Sequence, residues 1–231
     1  HVGAHVNTID VEHDGERHAV DTGFIVFNDL NYPHLVRLFA RLGIESRATT
    51  MSFSVRDEAS GLEYNGTNLD GLFAQRRNLV RPRFLRMLRD ILRFNRVALG
   101  WLEAEEAAGR PDDGTTVAEF TARHGLGVDF RERYLLPIGA SIWSCPAGTF
   151  AGFPVRFVLE FMRHHRMLHL TDRPVWRTVV GGSARYVERL TAPFAGRIRL
   201  RTPVRRLLRD ADGVTVETDA HAPERFDEVI V

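Results

Sequence analysis

From Pro82 to the break at Gly109-Arg110-Pro111, the sequence reads as one long amphipathic helix, and that helix dictates much of what surrounds it. Pro82 suits a helix start, where a missing N–H costs nothing. Leu85, Leu88, Ile91, Leu92, Leu99 and Leu102 recur at helical spacing and are expected to form the buried side. Such a stripe needs partners. Further helical runs follow: one capped by Thr115 or Thr116 and ended by Gly125, and one from Asp129 to Leu136, which Pro137 is expected to stop. A third starts at Phe153-Pro154 and runs to about His164.

Strand signals flank this helical middle. Val6 to His13 alternates, Asp14-Gly15 is a hairpin turn signal, and Arg17 to Asp21 resumes the extended pattern. Phe24 to Phe27 is a short apolar run. A helix is expected from Pro33 to Gly43, and a second hairpin turns at Ala59-Ser60-Gly61. Towards the end, Gly181-Gly182-Ser183 leads into a helix over Ala184 to Leu190. Strands are expected at Arg197 to Arg201, Val204 to Arg209 and Val214 to Thr218. Phe226 to Val231 is apolar enough to predict a buried, parallel strand. Strands, then helices, then strands give an α+β class with a helical insertion.

Composition removes several chemistries. The 31 basic and 30 acidic residues nearly cancel, so no global charge draws the chain to nucleic acid. Every basic residue is Arg, which excludes a Schiff-base or P-loop lysine within these residues and suggests a GC-rich bacterial genome. Cys145 is the single cysteine, so no internal disulfide forms, and a cytoplasmic location is expected. It reads as a small buried hydrophobe. No apolar run approaches the roughly 20 residues of a membrane span. The sequence opens at His1 without Met and stops inside a strand-like run, so it reads as an internal piece. His164, His165 and His169 are close in sequence, but no H-E-x-x-H pattern accompanies them, and no metal is expected.

The order of the motifs is more specific than any one of them. Val2-Gly3-Ala4-His5-Val6-Asn7-Thr8, then Asp21-Thr22-Gly23-Phe24, Phe27-Asn28 and Asn31-Tyr32-Pro33 resemble the FAD-containing amine oxidoreductases. They are most similar to the bacterial predicted NAD/FAD-binding amine oxidase branch, within the wider set of amine oxidases, phytoene desaturases and protoporphyrinogen oxidases. Leu136 to Ser144, which looks like a helix-breaking stretch of that branch, and Arg173 to Ser183 extend the resemblance over the whole chain. It departs from the pattern where Ala4 replaces the second Gly, and the family's G-x-G-x-x-G fingerprint would lie upstream of His1.

The resemblance implies part of an FAD-binding α/β domain, over 1–48 and 196–231. A substrate-binding domain with antiparallel strands would cover 49–195, with a helical insertion at about 76–170. It implies FAD as cofactor, with Gly3 and His5 near its phosphates, Gly23 and Phe24 near the ring system, and Val204 beside the adenine. Gly181, Gly182 and Ser183 would offer free amides at a helix start, to flavin or substrate. Trp143, His165 and Trp176 would line the substrate cavity. The expected reaction moves a hydride from an organic, lipid-like or amine substrate to flavin, with FAD held weakly by this piece alone. No catalytic base stands out. The alternatives are a catalytically incomplete structural piece and a peripheral membrane module. The latter would use the arginines from Arg76 to Arg96 on anionic lipid; their bland reading is a solvated outer face.

Overall fold

A computed structural model describes Val2, Gly3 and His5–Val231, so Ala4, the departure noted above, lies outside the described residues. In chain order the elements are strands β1 (Asn7–His13) and β2 (Glu16–Gly23), helix α1 (Pro33–Leu42), and strands β3 (Ser46–Thr49), β4 (Ser54–Asp57) and β5 (Leu62–Asn65). Helices α2 (Leu69–Leu72), α3 (Pro82–Ala107), α4 (Val117–Arg123), α5 (Val128–Phe130), α6 (Leu136–Trp143), α7 (Ala147–Ala151) and α8 (Val155–His164) follow. The chain ends with β6 (Trp176–Val179), α9 (Ala184–Thr191), β7 (Val204–Asp210), β8 (Gly213–Thr218) and β9 (Glu224–Phe226). The class is α+β. Two compact units form: one from His1–Ile25, Arg37–Ser46 and Thr178–Val231, the other from Val26–Val36 and Arg47–Arg177.

In the first unit, β1 and β2 pair antiparallel around Asp14 and Gly15. Both turn residues have positive φ, 52° and 78°, the geometry that matches strand twist in two-residue hairpins. β8 is the middle of an antiparallel sheet ordered β7–β8–β9. Two expectations fail in this region. Arg197 to Arg201 forms no strand: a 3-10 turn over Ala192–Arg197 and then turns occupy it. The buried parallel strand at Phe226 to Val231 is replaced by β9, which ends at Phe226 and pairs antiparallel with β8. Phe226 is exposed, because β9 lies at the edge of a three-stranded sheet. The stretch from Thr178 to 195, assigned from sequence to the middle region, packs with this unit. Arg189 Nη1 holds it by donating to the carbonyls of Leu42 and Gly43 at 2.8 and 2.6 Å.

The second unit is built on α3. Its buried face carries Phe84, Met87, Phe94, Ala98 and Leu102, packed with Phe120, Phe130, Leu135, Phe150, Leu159 and Met162. Leu85 and Leu92, expected in that face, are 42% and 48% exposed. At 100° per residue the aromatic and Met positions centre the buried arc, and Leu85 and Leu92 fall on its far side. The α4 start is a capping box. Thr116 accepts from the Glu119 amide, and Glu119 accepts from the Thr116 amide.

Pro137 does not stop its helix. Helical backbone continues from α5 through a single π turn, Arg131–Leu135, into α6. Pro137 has no N–H for the Arg133 carbonyl four residues earlier. The Tyr64 hydroxyl donates to that carbonyl instead, at 2.7 Å. Burial pushes the Tyr64 phenol up, so it stays a neutral donor. The Leu136 to Ser144 stretch is therefore helical as far as Trp143, and Ser144 ends it with a left-handed backbone.

Candidate cofactor clamp and aromatic wall

Within the first unit, the hairpin register places Thr8 opposite Asp21. Thr8 Oγ1 donates to Asp21 Oδ1 at 2.6 Å. The same carboxylate receives the Ser183 amide at 2.8 Å, and the single Ser183 hydroxyl proton is shared between Asp21 Oδ2 at 3.0 Å and the Phe24 carbonyl at 2.7 Å. Thr8 Oγ1 in turn accepts the Ala184 amide at 3.0 Å. The hairpin thus caps the start of α9, with a negative charge at the positive end of the helix. Ser183 is nearly inaccessible, at 1% exposure.

Three glycine turns meet at this clamp. Gly3 has φ of 109°, and its carbonyl accepts the Val6 amide at 2.8 Å; a Cβ there would touch the Val187 methyls of α9. Gly23 lies so close to the first turn that a Cβ would stand 1.9 Å from the His5 carbonyl oxygen. Phe24, next in sequence, is held left-handed at φ 55°, a strained state for a residue with a Cβ. Its carbonyl accepts the Ser183 hydroxyl at 2.7 Å, and its ring meets Tyr186 edge-on at 6.0 Å. Burial, with the Asp21 charge adding to it, pushes the Tyr186 phenol up. Gly181 and Gly182 also have positive φ, and a Cβ on Gly182 would lie 2.4 Å from Thr8 Cγ2.

The structure therefore brings together Gly3, His5, Gly23, Phe24, Gly181 and Gly182. Val204 is apart from them: it pairs with Thr218 at the start of β7 and is 55% exposed. One expectation is corrected. Of the amides expected to be free, that of Ser183 is taken by the Asp21 carboxylate and that of Gly182 donates to the Val179 carbonyl at 3.3 Å, while the Ala184 amide goes to Thr8. Sequence reasoning quoted Thr8, Asp21 and Ser183 only as parts of motifs. Their joint role was legible from the hairpin register, since a turn at residues 14 and 15 sets residue 8 against residue 21.

At Gly3, Gly181 and Gly182 the backbone is turned into conformations that side chains disfavour, and the room a Cβ would need is taken by Val187, Arg185 and Thr8, so these glycines let the turns pack closely on the protein itself. Asp21 Oδ1 is engaged within the protein by the Thr8 hydroxyl and the Ser183 amide.

In the second unit, Trp143, His165 and Trp176 belong to one aromatic column. Phe161 joins them: its ring is 4.9 Å from Trp143 and 4.0 Å, stacked, from His165. His165 is in turn near-parallel to Trp176, at 6.5 Å and 12°. Phe150, Phe153 and Phe157 surround Trp143 on its other sides. All four members of the column are part-buried, unlike the fully buried Phe94, Phe120 and Phe130 of the core. His165 Nδ1 is 3.0 Å from the Phe161 carbonyl oxygen. A carbonyl only accepts, so Nδ1 carries a proton in this contact. Phe161 was missed from sequence, although Phe157 and Phe161 of α8 and His165 at its C-terminal cap recur at i+4 spacing.

A cavity of about 250 Å³ in the same unit lies elsewhere, lined by Ser60, Leu62, Arg81, Arg83, Asp129 and Arg133 among others. Arg133 bridges Asp57 and Asp129 beside it, and Arg83 grips Asp129 through two bonds of 3.1 Å. The Ser60 hydroxyl and the Arg133 guanidinium hold the Asp57 carboxyl down to about 2. Among the described residues, no group of three His, Cys, Asp or Glu is placed to hold a metal ion. No helix among them is long and apolar enough to cross a membrane.

Residues 1–231 match the protein family described as flavin containing amine oxidoreductase. No curated protein matches the chain. Among solved structures, a putrescine oxidase double mutant from a redesign of cofactor binding superposes with a TM-score of 0.65 at 18% identity. It covers 96% of this chain and 48% of its own. Wild-type putrescine oxidase bound to putrescine gives a TM-score of 0.63 at 18% identity, with the same coverage, 96% and 48%. The chain thus spans about half the length of these relatives, and at this identity the likeness speaks for the fold.

Proposed function

Because the chain belongs to the flavin containing amine oxidoreductases, a family whose cofactor is FAD, we propose that it supplies part of an FAD cradle and the substrate wall of an oxidase or desaturase-like enzyme. The observation that carries this reading is the convergence of six of the seven expected cofactor residues on the Thr8–Asp21–Ser183 clamp. Gly3 and His5 would face the phosphates, and Gly23 and Phe24 the ring system. Val204 would lie beside the adenine, through its backbone. When bound, FAD supplies the chemistry, accepting a hydride from a substrate C–H bond. The protein's own part is to fix the turns that carry these residues, which the clamp does by tying the β1–β2 hairpin to α9.

The column of Trp143, Phe161, His165 and Trp176 would form one wall of the substrate cavity. Exposed ring faces bind hydrocarbon by burial and an ammonium group by cation–π attraction. None of the four residues is acidic, so recognition along this wall is by apolar contact and ring faces. The substrate class is an organic amine, or a lipid-like molecule with an apolar flank. Rapid anaerobic mixing of the flavin-loaded complete gene product with a panel of amines and isoprenoid lipids tests the reading. Bleaching of the flavin by a member of either class is expected. A loaded protein that no amine or apolar C–H donor bleaches would exclude the proposed substrate classes.

A further inference from the structure

We infer that the second unit carries a docking surface for an anionic lipid bilayer, formed by the 3-10 turn Arg76–Val80 and the outward face of the first half of α3. Arg86, Arg89, Arg93 and Arg96 are all exposed. At 100° per residue they fall within an arc of about 80°, opposite the buried Phe84 and Phe94. Leu85 and Leu92, two turns apart, run along the edge of this stripe and are solvent-exposed. At its N-terminal end, Leu79 is 51% and Val80 80% exposed, just before Pro82 opens the helix. Arginines and the edge formed by Leu85 and Leu92 therefore share one outward face of α3, with Leu79 and Val80 exposed at its N-terminal end.

Little on this surface neutralises the arginines. Arg76 pairs with Asp70, Arg83 with Asp129, and Arg89 weakly with Asp90 at 3.5 Å. Among the described residues, no carboxylate pairs with Arg77, Arg86, Arg93 or Arg96. The Asp90 carboxylate is buried and already accepts the Gly127 amide.

Helix stability does not account for this pattern. The positive end of a helix dipole favours acidic residues, yet the first turn of α3 has none. The acids lie instead at the other end, where Arg110, Arg156 and Arg163 neutralise Glu105 and Glu106. At the basic end Asp70, Asp129 and Asp90 meet Arg76, Arg83 and Arg89, and Arg77, Arg86, Arg93 and Arg96 are left without a carboxylate among the described residues.

A bilayer with anionic headgroups fits both components: the arginines meet phosphate and carboxylate groups, and Leu79 and Val80 enter the boundary with the acyl chains. Single-stranded nucleic acid fits less well, because it needs exposed rings for base stacking. Phe73, Phe84 and Phe94, the rings of this segment, are buried or part-buried.

Co-sedimentation tests the inference. Purified protein is spun with vesicles of phosphatidylcholine alone, and with vesicles of phosphatidylcholine mixed with phosphatidylserine, at low and high salt. Binding is expected to the mixed vesicles only, and high salt should abolish it. The combined variant Arg86→Gln, Arg89→Gln, Arg93→Gln, Arg96→Gln should weaken it about a hundredfold. Val80→Asp alone should weaken it at least about tenfold. Arg205→Gln, in the first unit, should leave it unchanged. These side chains are exposed, and circular dichroism is used to check that each variant folds. The inference is overturned by wild-type protein that stays in solution with the mixed vesicles at low salt. It is equally overturned if Arg205→Gln weakens binding as much as the combined variant does, or if the surface binds an acidic oligonucleotide or peptide and not the vesicles.

Discussion

Replacing Asp21 by Ala is expected to remove about 3 kcal/mol of stability, and with it the retention of flavin. Asp21 receives the Thr8 hydroxyl and the Ser183 amide, and shares the single Ser183 hydroxyl proton with the Phe24 carbonyl. Ala leaves the Ser183 N–H without an acceptor at a site with 1% exposure, where water cannot readily substitute. A hydrogen bond to a charged group contributes about 1.5–3 kcal/mol, and these share one carboxylate, so they do not simply add. For a protein of this size the melting temperature should fall by roughly 6–12 °C. Asp21→Asn keeps one acceptor oxygen and should cost about half as much. Calorimetry on both variants checks the order. Equal and small losses would show that the clamp does not hold the turns together.

The second large effect is expected at Gly139, in α6. A Cβ there would lie 2.2 Å from two ring carbons of Phe150, a side chain with no exposure. Phe150 cannot retreat easily, since it is packed on Trp143 at 5.4 Å and on Phe153 at 5.6 Å. Gly139→Ala should therefore cost about 2–3 kcal/mol through overpacking. It should also displace Trp143, and with it the column that runs through Phe161 to Trp176, so substrate KM should rise more than kcat falls. Adding Phe150→Leu makes room for the methyl group and should restore part of both. If the double variant is no better than Gly139→Ala alone, the contact with Phe150 is not the cause.

How much of this was legible in the sequence depends on how local the cause was. The first hairpin was legible because Asp14 and Gly15 supply the two positive φ values that its turn requires. Pro82 and Gly43 marked real helix limits, because each acts on its own backbone. Pro137 misled, because its lost hydrogen bond is replaced by Tyr64, more than sixty residues away in sequence. The α3 stripe was read too far round: Leu88, Ile91, Leu99 and Leu102 meet the core, and Leu85 and Leu92 do not. Counting Leu and Ile alone ignored Phe84, Met87 and Phe94, whose larger area decides which side is buried. Phe226 to Val231 shows a similar error, where apolar content suggested a buried strand but β9 is a short exposed edge.

The candidate site followed the same division. The glycines could be picked out because only Gly tolerates their backbone or their contacts, as at Gly23 against His5 and Gly182 against Thr8. That the amides of α9 were already spent on Asp21 and Thr8 depends on a pairing between residues 162 positions apart or more, and no local signal carried it. The joining of Trp143 and Trp176 through Phe161 and His165 likewise required the fold.

The most direct test of the flavoenzyme reading is the visible absorption spectrum of the purified complete gene product, recorded beside that of the 231-residue chain with added FAD. Flavin bands that co-purify with the complete protein, and that fade when Asp21 is replaced by Ala, are the predicted result. A complete protein that is colourless and takes up no added FAD would contradict it.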